Sequence, residues 1–453
     1  MKRLLVLGCG ESGYGTAVLA QRCGYDVFVS DGGTILDKYK FGDAVYAGLR
    51  SLGIAYEEGV HSVAGSGCWD IIVKSPGISE SRAAEILHIA EGSQPFLSEI
   101  EFAGRHSRGR TICVTGSNGK TTTVSLIYDI LRRAGLDVAL CGNIGHSYAL
   151  EVANGDHDYY VLELSSFQLD GMYRFRADVS VLLNISADHL DRYGDSIRRY
   201  AASKLRIVRN QTSEDLFVGW QGLKSYLSGI GCSDLLSCTA GVSSVWYDEQ
   251  TLLPVSDEER GLQGVHNRLN TCAAVLAVRG LAERFHLNHT LTEQAINEGL
   301  RLFKALSHRL EMVGVFGGIT FIDDSKATNV DSCRYALLSL RPKIVLILGG
   351  IDKGNDYNKI EDLVEERCRA LIFMGKDNSK LESFYAAKGL EQKGISLRST
   401  HSMEEAVSAA SLLAQAGDTV LLSPCCASFD LFSSYKDRGL QFQQTIHRLC
   451  KER

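Results

Sequence analysis

The sequence predicts an α/β protein of three domains: a Rossmann-like unit at the N-terminus, a central P-loop ATPase-like parallel sheet, and a second Rossmann-like α/β unit at the C-terminus. Three observations carry this. A glycine turn, Gly8 to Gly13, follows the strand-like run Arg3–Leu7. A second glycine loop, Gly116 to Gly119, follows the apolar run Ile112–Val114 and opens a helical segment. Beyond residue 306, apolar runs alternate with helical segments, and each run ends in a polar or glycine turn. Apolar runs separated by helix-period segments are the signature of parallel strands joined by crossover helices. A chain of 453 residues has room for such an arrangement, at roughly 150 residues per domain.

In the first domain, residues 1–95, the turn Gly8-Cys9-Gly10-Glu11-Ser12-Gly13 leads into a helix running through Cys23. A strand Val27–Ser30 then ends at Asp31. A G-x-G-x-x-G turn with an acidic residue about 20 positions on holds a pyrophosphate, and taken alone it suggests NAD. A third run, Ile71–Val73, leads into Lys74-Ser75-Pro76-Gly77-Ile78; ligands of open α/β sheets gather at such strand ends. A linker around Gly92–Pro95 closes the domain. The second domain, residues 96–305, has strands expected at Ile112–Val114, Val138–Leu140, Tyr159–Leu164 and Val179–Leu183. Residues 217–262 read as a sheet extension, and a helix is expected over Asn267–Phe285. The third domain, residues 306–453, has strands expected at Thr320–Ile322, Ile344–Leu348, Leu371–Phe373 and Thr419–Leu422.

Composition narrows the partners. A net charge of −6 argues against nucleic acid, whose phosphates attract basic surfaces. No apolar segment approaches the ~20 residues that cross a bilayer, and the N-terminal apolar run stops at Gly8, short of a signal-peptide core. The 13 cysteines lack metal-ligand spacing. An odd count without an export signal fits reduced, mostly buried thiols and a cytoplasmic location.

The stretch Val114-Thr115-Gly116-Ser117-Asn118-Gly119-Lys120-Thr121-Thr122-Thr123 carries the strongest chemical signal. Glycines let backbone N–H groups turn toward an anion, and the helix N-terminus adds its positive dipole end. Lys120 is placed to reach terminal phosphates, and the Thr121 hydroxyl to ligate Mg²⁺. The common loop reads G-x-x-x-x-G-K-[ST]; here the first glycine is Gly116, a compact G-x-x-G-K-T. Glu163 ends an apolar run and can hold a metal at a strand end. Asp188, His189 and Asp191 follow the run Val179–Leu183 and can bind a metal or handle a proton. Lys204 lies in a helical segment, Tyr200–Val208, where solvation is the default expectation.

Together with Leu162–Gln168, His266-Asn267, His308-Arg309 and Asp324-Ser325-Lys326-Ala327-Thr328-Asn329, these stretches resemble the Mur ligase family, in family order and across all three domains. The segment Asp324–Asn329 and the tail Leu422–Asp430 are similar to the family's D-glutamate-adding branch. The resemblance implies a cytoplasmic ATP-dependent ligase of peptidoglycan precursor synthesis, expected as a monomer. Its implied ligands are ATP, two Mg²⁺ ions, UDP-N-acetylmuramoyl-L-alanine and D-glutamate.

The resemblance also assigns residues. Lys120, His189 and Lys204 are implied as catalytic, with Lys204 carbamylated by CO₂. Gly116, Ser117, Asn118, Gly119, Lys120, Thr121, Thr122, Asn267, Arg309 and Asp324 are implied at the nucleotide. Thr121, Glu163, His189 and carbamylated Lys204 are implied at the metals, since a carbamate is an anion where an ammonium repels Mg²⁺. Glu11, Ser12, Asp31 and Ser75 are implied at the UDP moiety, with Gly32-Gly33 standing where family members can carry larger side chains. Asn143 and His189 are implied near the muramoyl-alanine end, and Thr328, Lys353, Ser428, Phe429 and Tyr435 in the amino-acid pocket. Other Mur ligases and folylpolyglutamate synthase are the neighbouring alternatives. A nicotinamide-dependent oxidoreductase, from another class, accounts for Gly8 to Asp31 but leaves Gly116 to Thr121 without a role.

Overall fold

Each of the apolar runs becomes a strand in one of three sheets of the computed structural model, which describes residues 1–35, 42–262, 264–304 and 307–449. The first sheet contains β1 (Arg3–Leu7), β2 (Asp26–Asp31), β3 (Ala55–Glu58) and β4 (Ile71–Lys74), in the order β3-β2-β1-β4. The second contains β5 (Arg110–Thr115), β6 (Val138–Gly142), β7 (Tyr159–Glu163), β8 (Val179–Leu182), β9 (Leu216–Trp220) and β10 (Ser243–Tyr247), in the order β10-β9-β8-β5-β7-β6. Both are parallel throughout. The third contains β11 (Glu311–Phe316), β12 (Ile319–Asp323), β13 (Ile344–Gly349), β14 (Cys368–Met374), β15 (Ser396–Thr400) and β16 (Thr419–Cys425), in the order β11-β12-β16-β13-β14-β15. Only the β11–β12 pair in it is antiparallel. Helices cover both faces of a parallel sheet, so its central strands are buried on both sides and read as continuous apolar runs; every residue of β13 and β16 is buried.

Three strands had no apolar run to announce them. β3, β11 and β15 each lie at the edge of a sheet and keep most of their residues partly or fully exposed. The stretch 217–262 does extend the second sheet through β9 and β10, but a helix, Gln221–Gly229, stands between them. Two adjacent parallel strands need a crossover, so the reading of the whole stretch as sheet is corrected. The helix expected over Asn267–Phe285 spans Val265–Arg284. The expected division at 305/306 lies outside the described residues.

The chain forms two compact units, Met1–Gln263 with Asn267–Phe303, and Gly264–His266 with Lys304–Arg453. In the first unit one hydrophobic cluster reaches both parallel sheets, running from Leu4, Val6 and Val29 through Ile100 and Phe102 to Cys113 and Leu162. Buried carboxylates fasten its middle. Glu101 accepts from Arg105 Nε and Nη2 at 2.9 and 2.7 Å and from the backbone N–H groups of Tyr173, Arg174 and Phe175 at 2.8 to 3.0 Å. Glu99 Oε1 accepts from Ala149 N at 3.0 Å, and burial raises the pKa of its carboxyl.

Candidate functional site

In the second sheet β5 lies between β8 and β7, so the carboxyl ends of these three strands meet. The register aligns Val114 with Glu163 and Thr115 with Leu182. Loop 116–119, Glu163 and the segment 183–189 therefore share one edge of the sheet. The loop turns into the helix Lys120–Arg133 at Gly119, whose φ of +86° is left-handed. A Cβ there would also fall 2.3 Å from Asn270 Oδ1, so both conformation and space require glycine. The leading N–H groups of that helix have no intrahelical acceptor, and they are the donors an anion takes.

The segment 184–186 holds the loop in shape. Asn184 O accepts from Ser117 N at 3.0 Å, and Asn184 Oδ1 from Asn118 N at 2.9 Å. Asn184 Nδ2 donates back to Asn118 O at 3.1 Å. Ser117 Oγ donates to Ser186 O and accepts from Ser186 N, both at 2.9 Å. Ser117 and Asn118 thus shape the cradle through Asn184 and Ser186. Asn184 opens the strand-end motif Asn184–Asp191 that carries part of the family resemblance, but no role of its own was legible in the sequence. Thr122 is buried, and Thr121 is half-buried on the first turn of the helix. Asn267 Oδ1 accepts from Asn270 Nδ2 at 3.3 Å, which links it to the residue beside Gly119.

Glu163 is 1% exposed. Its Oε1 accepts from Asn143 Nδ2 at 2.8 Å, while its buried Oε2 has no hydrogen-bond partner. A buried carboxylate oxygen without a partner is costly, and a divalent cation would satisfy it; the residues fit a metal on this ground. Asn143 is anchored through its own N–H to Glu163 O at 2.8 Å. His189 has φ +53° and ends the run after β8. Its Nε2 lies 3.7 Å from Asp188 Oδ2, and its ring meets Phe167 edge-on at 5.2 Å. Asp191 is exposed and stands apart from this group by its burial.

Lys204 departs from the solvated default: it is 2% exposed, on the helix Ile197–Leu205. Its Nζ donates to Gly116 O at 2.9 Å, the same carbonyl that accepts from Lys120 Nζ at 2.7 Å. Lys120 Nζ also donates to Ser117 O at 2.9 Å. Burial, and then the Lys120 charge, push the Lys204 pKa well below the usual lysine range, against the pull of Asp188 and Glu163. Helix periodicity placed Lys204 on a helix but could not show that its face packs under the glycine loop.

On the first sheet, Asp31 is buried and its carboxylate is committed to the turn it faces. Oδ2 accepts from Cys9 N at 2.6 Å and Oδ1 from Gly33 N at 2.8 Å. Ser75 Oγ donates to Gly8 O at 3.0 Å, which brings the Ser75 turn against the glycine turn. Glu11 is exposed and Ser12 half-buried, at the start of the helix Glu11–Arg22.

The second unit gathers its own loops. β16 lies between β12 and β13, so residues 324–329, 350–357 and 426–434 emerge side by side. Asp324 N donates to Leu422 O at 2.8 Å, and Asp324 Oδ2 accepts from Ser423 Oγ at 2.9 Å. Burial raises the Asp324 pKa to about 7 against the opposing effects of the Ser423 bond and the Arg309 charge. Ile351 and Ala427 exchange backbone hydrogen bonds at 2.9 and 3.1 Å. Ser428 is buried, Thr328 half-buried, and Lys353 and Phe429 exposed. Tyr435 opens the helix Tyr435–Leu449, with Lys326 Nζ 3.8 Å from its ring centre. Arg438, which the sequence did not mark, is 1% exposed and donates to Ser325 Oγ, Ser325 O and Cys426 O at 2.8 to 3.1 Å. It ties two of the three loops together.

Comparison with known proteins agrees with this geometry. Residues 114–228 match the Mur ligase middle domain, and residues 308–426 match the Mur ligase, glutamate ligase domain. A UDP-N-acetylmuramoylalanine–D-glutamate ligase of Bacteroides fragilis is 49% identical over 99% of this chain and 100% of its own. One of the same name from Porphyromonas gingivalis is 45% identical over 98% of each. Among solved structures, a UDP-N-acetylmuramate-alanine ligase of Thermotoga maritima matches over 100% of both chains, with TM-score 0.58 and 18% identity. A pseudomurein peptide ligase type C of Methanothermus fervidus covers 99% of this chain and 100% of its own, with TM-score 0.57 and 19% identity. These two similarities speak for the fold.

Proposed function

The chain belongs to the Mur ligase family and is an ATP-dependent ligase, and from that premise we infer that it joins D-glutamate to UDP-N-acetylmuramoyl-L-alanine during peptidoglycan precursor synthesis in the cytoplasm. The observation that carries this is a shortened phosphate cradle with a fully buried lysine beneath it, in a chain whose full-length relatives bear that activity in their names.

A carboxylate is a poor electrophile, so the alanyl carboxylate must be activated. It attacks the γ-phosphate of ATP, and ADP leaves. The amine of D-glutamate then attacks the acyl phosphate, and inorganic phosphate leaves from the tetrahedral intermediate. Lys120, now donating to the loop's own carbonyls, would turn to the transferring phosphoryl group and offset its charge. The leading N–H groups of its helix would hold the phosphates. Thr121, Glu163, His189 and a carbamylated Lys204 would hold Mg²⁺, which supplies charge neutralisation at the phosphoryl oxygens.

The burial of Lys204 supports carbamylation. Burial lowers the Lys204 pKa and so favours the neutral amine, the form that adds to CO₂ with release of a proton. The product would be a carbamate anion near Lys120, which shares the Gly116 carbonyl with it and whose ammonium it would attract. In the second unit, Arg309 and Asp324 would meet the nucleotide. Lys353, Thr328, Ser428, Phe429 and Tyr435 would receive D-glutamate, whose two carboxylates need cationic and hydroxyl donors. Glu11, Ser12, Asp31 and Ser75 would face the UDP moiety, Asp31 by fixing the glycine turn.

The test is phosphate release from ATP, measured with UDP-N-acetylmuramoyl-L-alanine and, in turn, D-glutamate, L-glutamate and meso-diaminopimelate, and with folate plus glutamate. Release is expected only with the muramoyl substrate and D-glutamate; turnover with folate, or a preference for diaminopimelate, overturns the assignment. Lys353→Ala should raise the KM for D-glutamate at least tenfold, consistent with loss of a charge-assisted contact worth about 1.5–3 kcal/mol. The KM for ATP should change little, and an effect confined to ATP would move Lys353 out of the amino-acid pocket.

A further inference from the structure

A cavity of about 610 Å³ opens in the first unit beside the phosphate cradle, and none of residues 116–121 lines it. Five cations do: Lys74, Arg192, Arg199, Arg206 and Arg209. Among the described residues none of the five forms an ion pair, so their charge is not cancelled pair by pair. Backbone carbonyls aim four of them instead. Arg206 donates to Leu169 O, Asp170 O and Met172 O at 2.9 to 3.0 Å, and Arg209 to Met172 O at 3.2 Å. Arg192 donates to Gly77 O and Pro76 O at 3.3 and 3.4 Å and lies 4.3 Å over the Phe167 ring. Carbonyls orient a guanidinium and leave its net charge in place.

The floor is built rather than superficial. Lys74 is 8% exposed, with Nζ donating to Ile78 O at 2.9 Å. Ser203 is 5% exposed and shares a 3.1 Å contact with Tyr193 OH. Burial lowers the Lys74 pKa and the neighbouring Arg192 lowers it further, a repulsion that an incoming anion would relieve. The cavity's carboxylates are Glu80, Glu91 and Asp170, and Asp170 is engaged by Tyr193 OH at 2.8 Å. Five cations against three carboxylates leave an excess of two positive charges. A phosphate group carries about −1.5 to −2 at neutral pH, and arginine forks suit its oxygens.

We propose that this cavity is a second anion site that takes a phosphate dianion, either free or as the monoester of a small molecule. The volume falls in the range of small-molecule sites, about 300–1,000 Å³, so it admits a phosphate with an organic group attached. The site also lies against the reaction centre. Ser203 adjoins Lys204 in sequence, and Phe167, on the cavity wall, packs on His189.

Isothermal titration of the full-length protein with inorganic phosphate, and separately with glycerol phosphate, tests this. Saturable binding is expected in wild type and in Lys120→Ala, within about twofold of each other, because the cradle is not involved. The double variant Arg199→Glu/Arg209→Glu, at two exposed positions, should bind at least tenfold more weakly while still binding ADP. Should that variant lose ADP binding as well, Arg199→Gln alone is expected to weaken phosphate binding severalfold with ADP binding intact. Tighter binding of glycerol phosphate assigns the site to a phosphorylated small molecule; tighter binding of inorganic phosphate assigns it to the free ion. No saturable binding in either arm, loss of binding in Lys120→Ala, or full binding in the arginine variants overturns the proposal.

Discussion

Lys204→Ala should reduce ligase turnover by at least a thousandfold, and millimolar acetate or propionate should restore part of it. The reason lies in what surrounds the side chain. Lys204 is fully buried, shares the Gly116 carbonyl with Lys120 and has its pKa driven down by burial and by that neighbour. In its amine form it makes one hydrogen bond; as a carbamate it would be an anion within reach of the Lys120, Asp188 and Glu163 charges. Alanine removes both the anion and its tether. A small carboxylate can re-enter the space and supply the anion, without the advantage of attachment. Turnover is measured as phosphate release, with the melting temperature recorded to show that the variant is folded. An alanine variant as active as wild type rejects the carbamate. An inactive variant that no carboxylate rescues leaves the lysine as a structural support of the loop.

Lys120→Ala should abolish phosphate release that depends on the muramoyl substrate, by at least about a hundredfold. Removing one preorganised donor at a developing charge costs roughly 10²–10³ in rate, and the helix dipole and leading N–H groups that remain cannot follow the phosphoryl group as it transfers. The loop itself should persist, since Lys204 still engages Gly116 O and Asn184 still bonds to Ser117 and Asn118. Wild-type activity in Lys120→Ala would remove the phosphate cradle from the mechanism. The two variants also separate two roles. Carboxylates should rescue Lys204→Ala and leave Lys120→Ala unchanged, because the first loses an anion and the second a cation.

Much of the fold was legible because parallel strands buried on both faces must be apolar along their length. β1, β5, β13 and β16 could be read as runs. β3, β11 and β15 could not, because an edge strand keeps polar residues toward solvent and loses the run that marks it. The cradle was legible for a related reason: Gly119 occupies a left-handed position with no room for a Cβ, so the backbone writes itself into the sequence. Glu163 was legible as an acid closing an apolar run. Asn184, Arg438 and the burial of Lys204 were not. Each depends on contacts beyond its own element, with Ser117 and Asn118 for the first, Cys426 and Ser325 for the second, Gly116 for the third.

By itself the sequence determined the three α/β sheets, the glycine loop with its lysine and threonine, and the resemblance that links the acid, the histidine and the buried lysine. These are local or periodic properties, set by chain conformation and by which residues a strand or turn can tolerate. The tertiary structure alone decided that two lysines converge on one carbonyl, that Glu163 keeps one oxygen unpartnered, that Asp31 braces its own turn, and that five cations line one cavity. Those depend on distance and desolvation. A lysine's charge costs little on a solvated helix face and much beneath a packed loop, and only the packing determines which of the two applies.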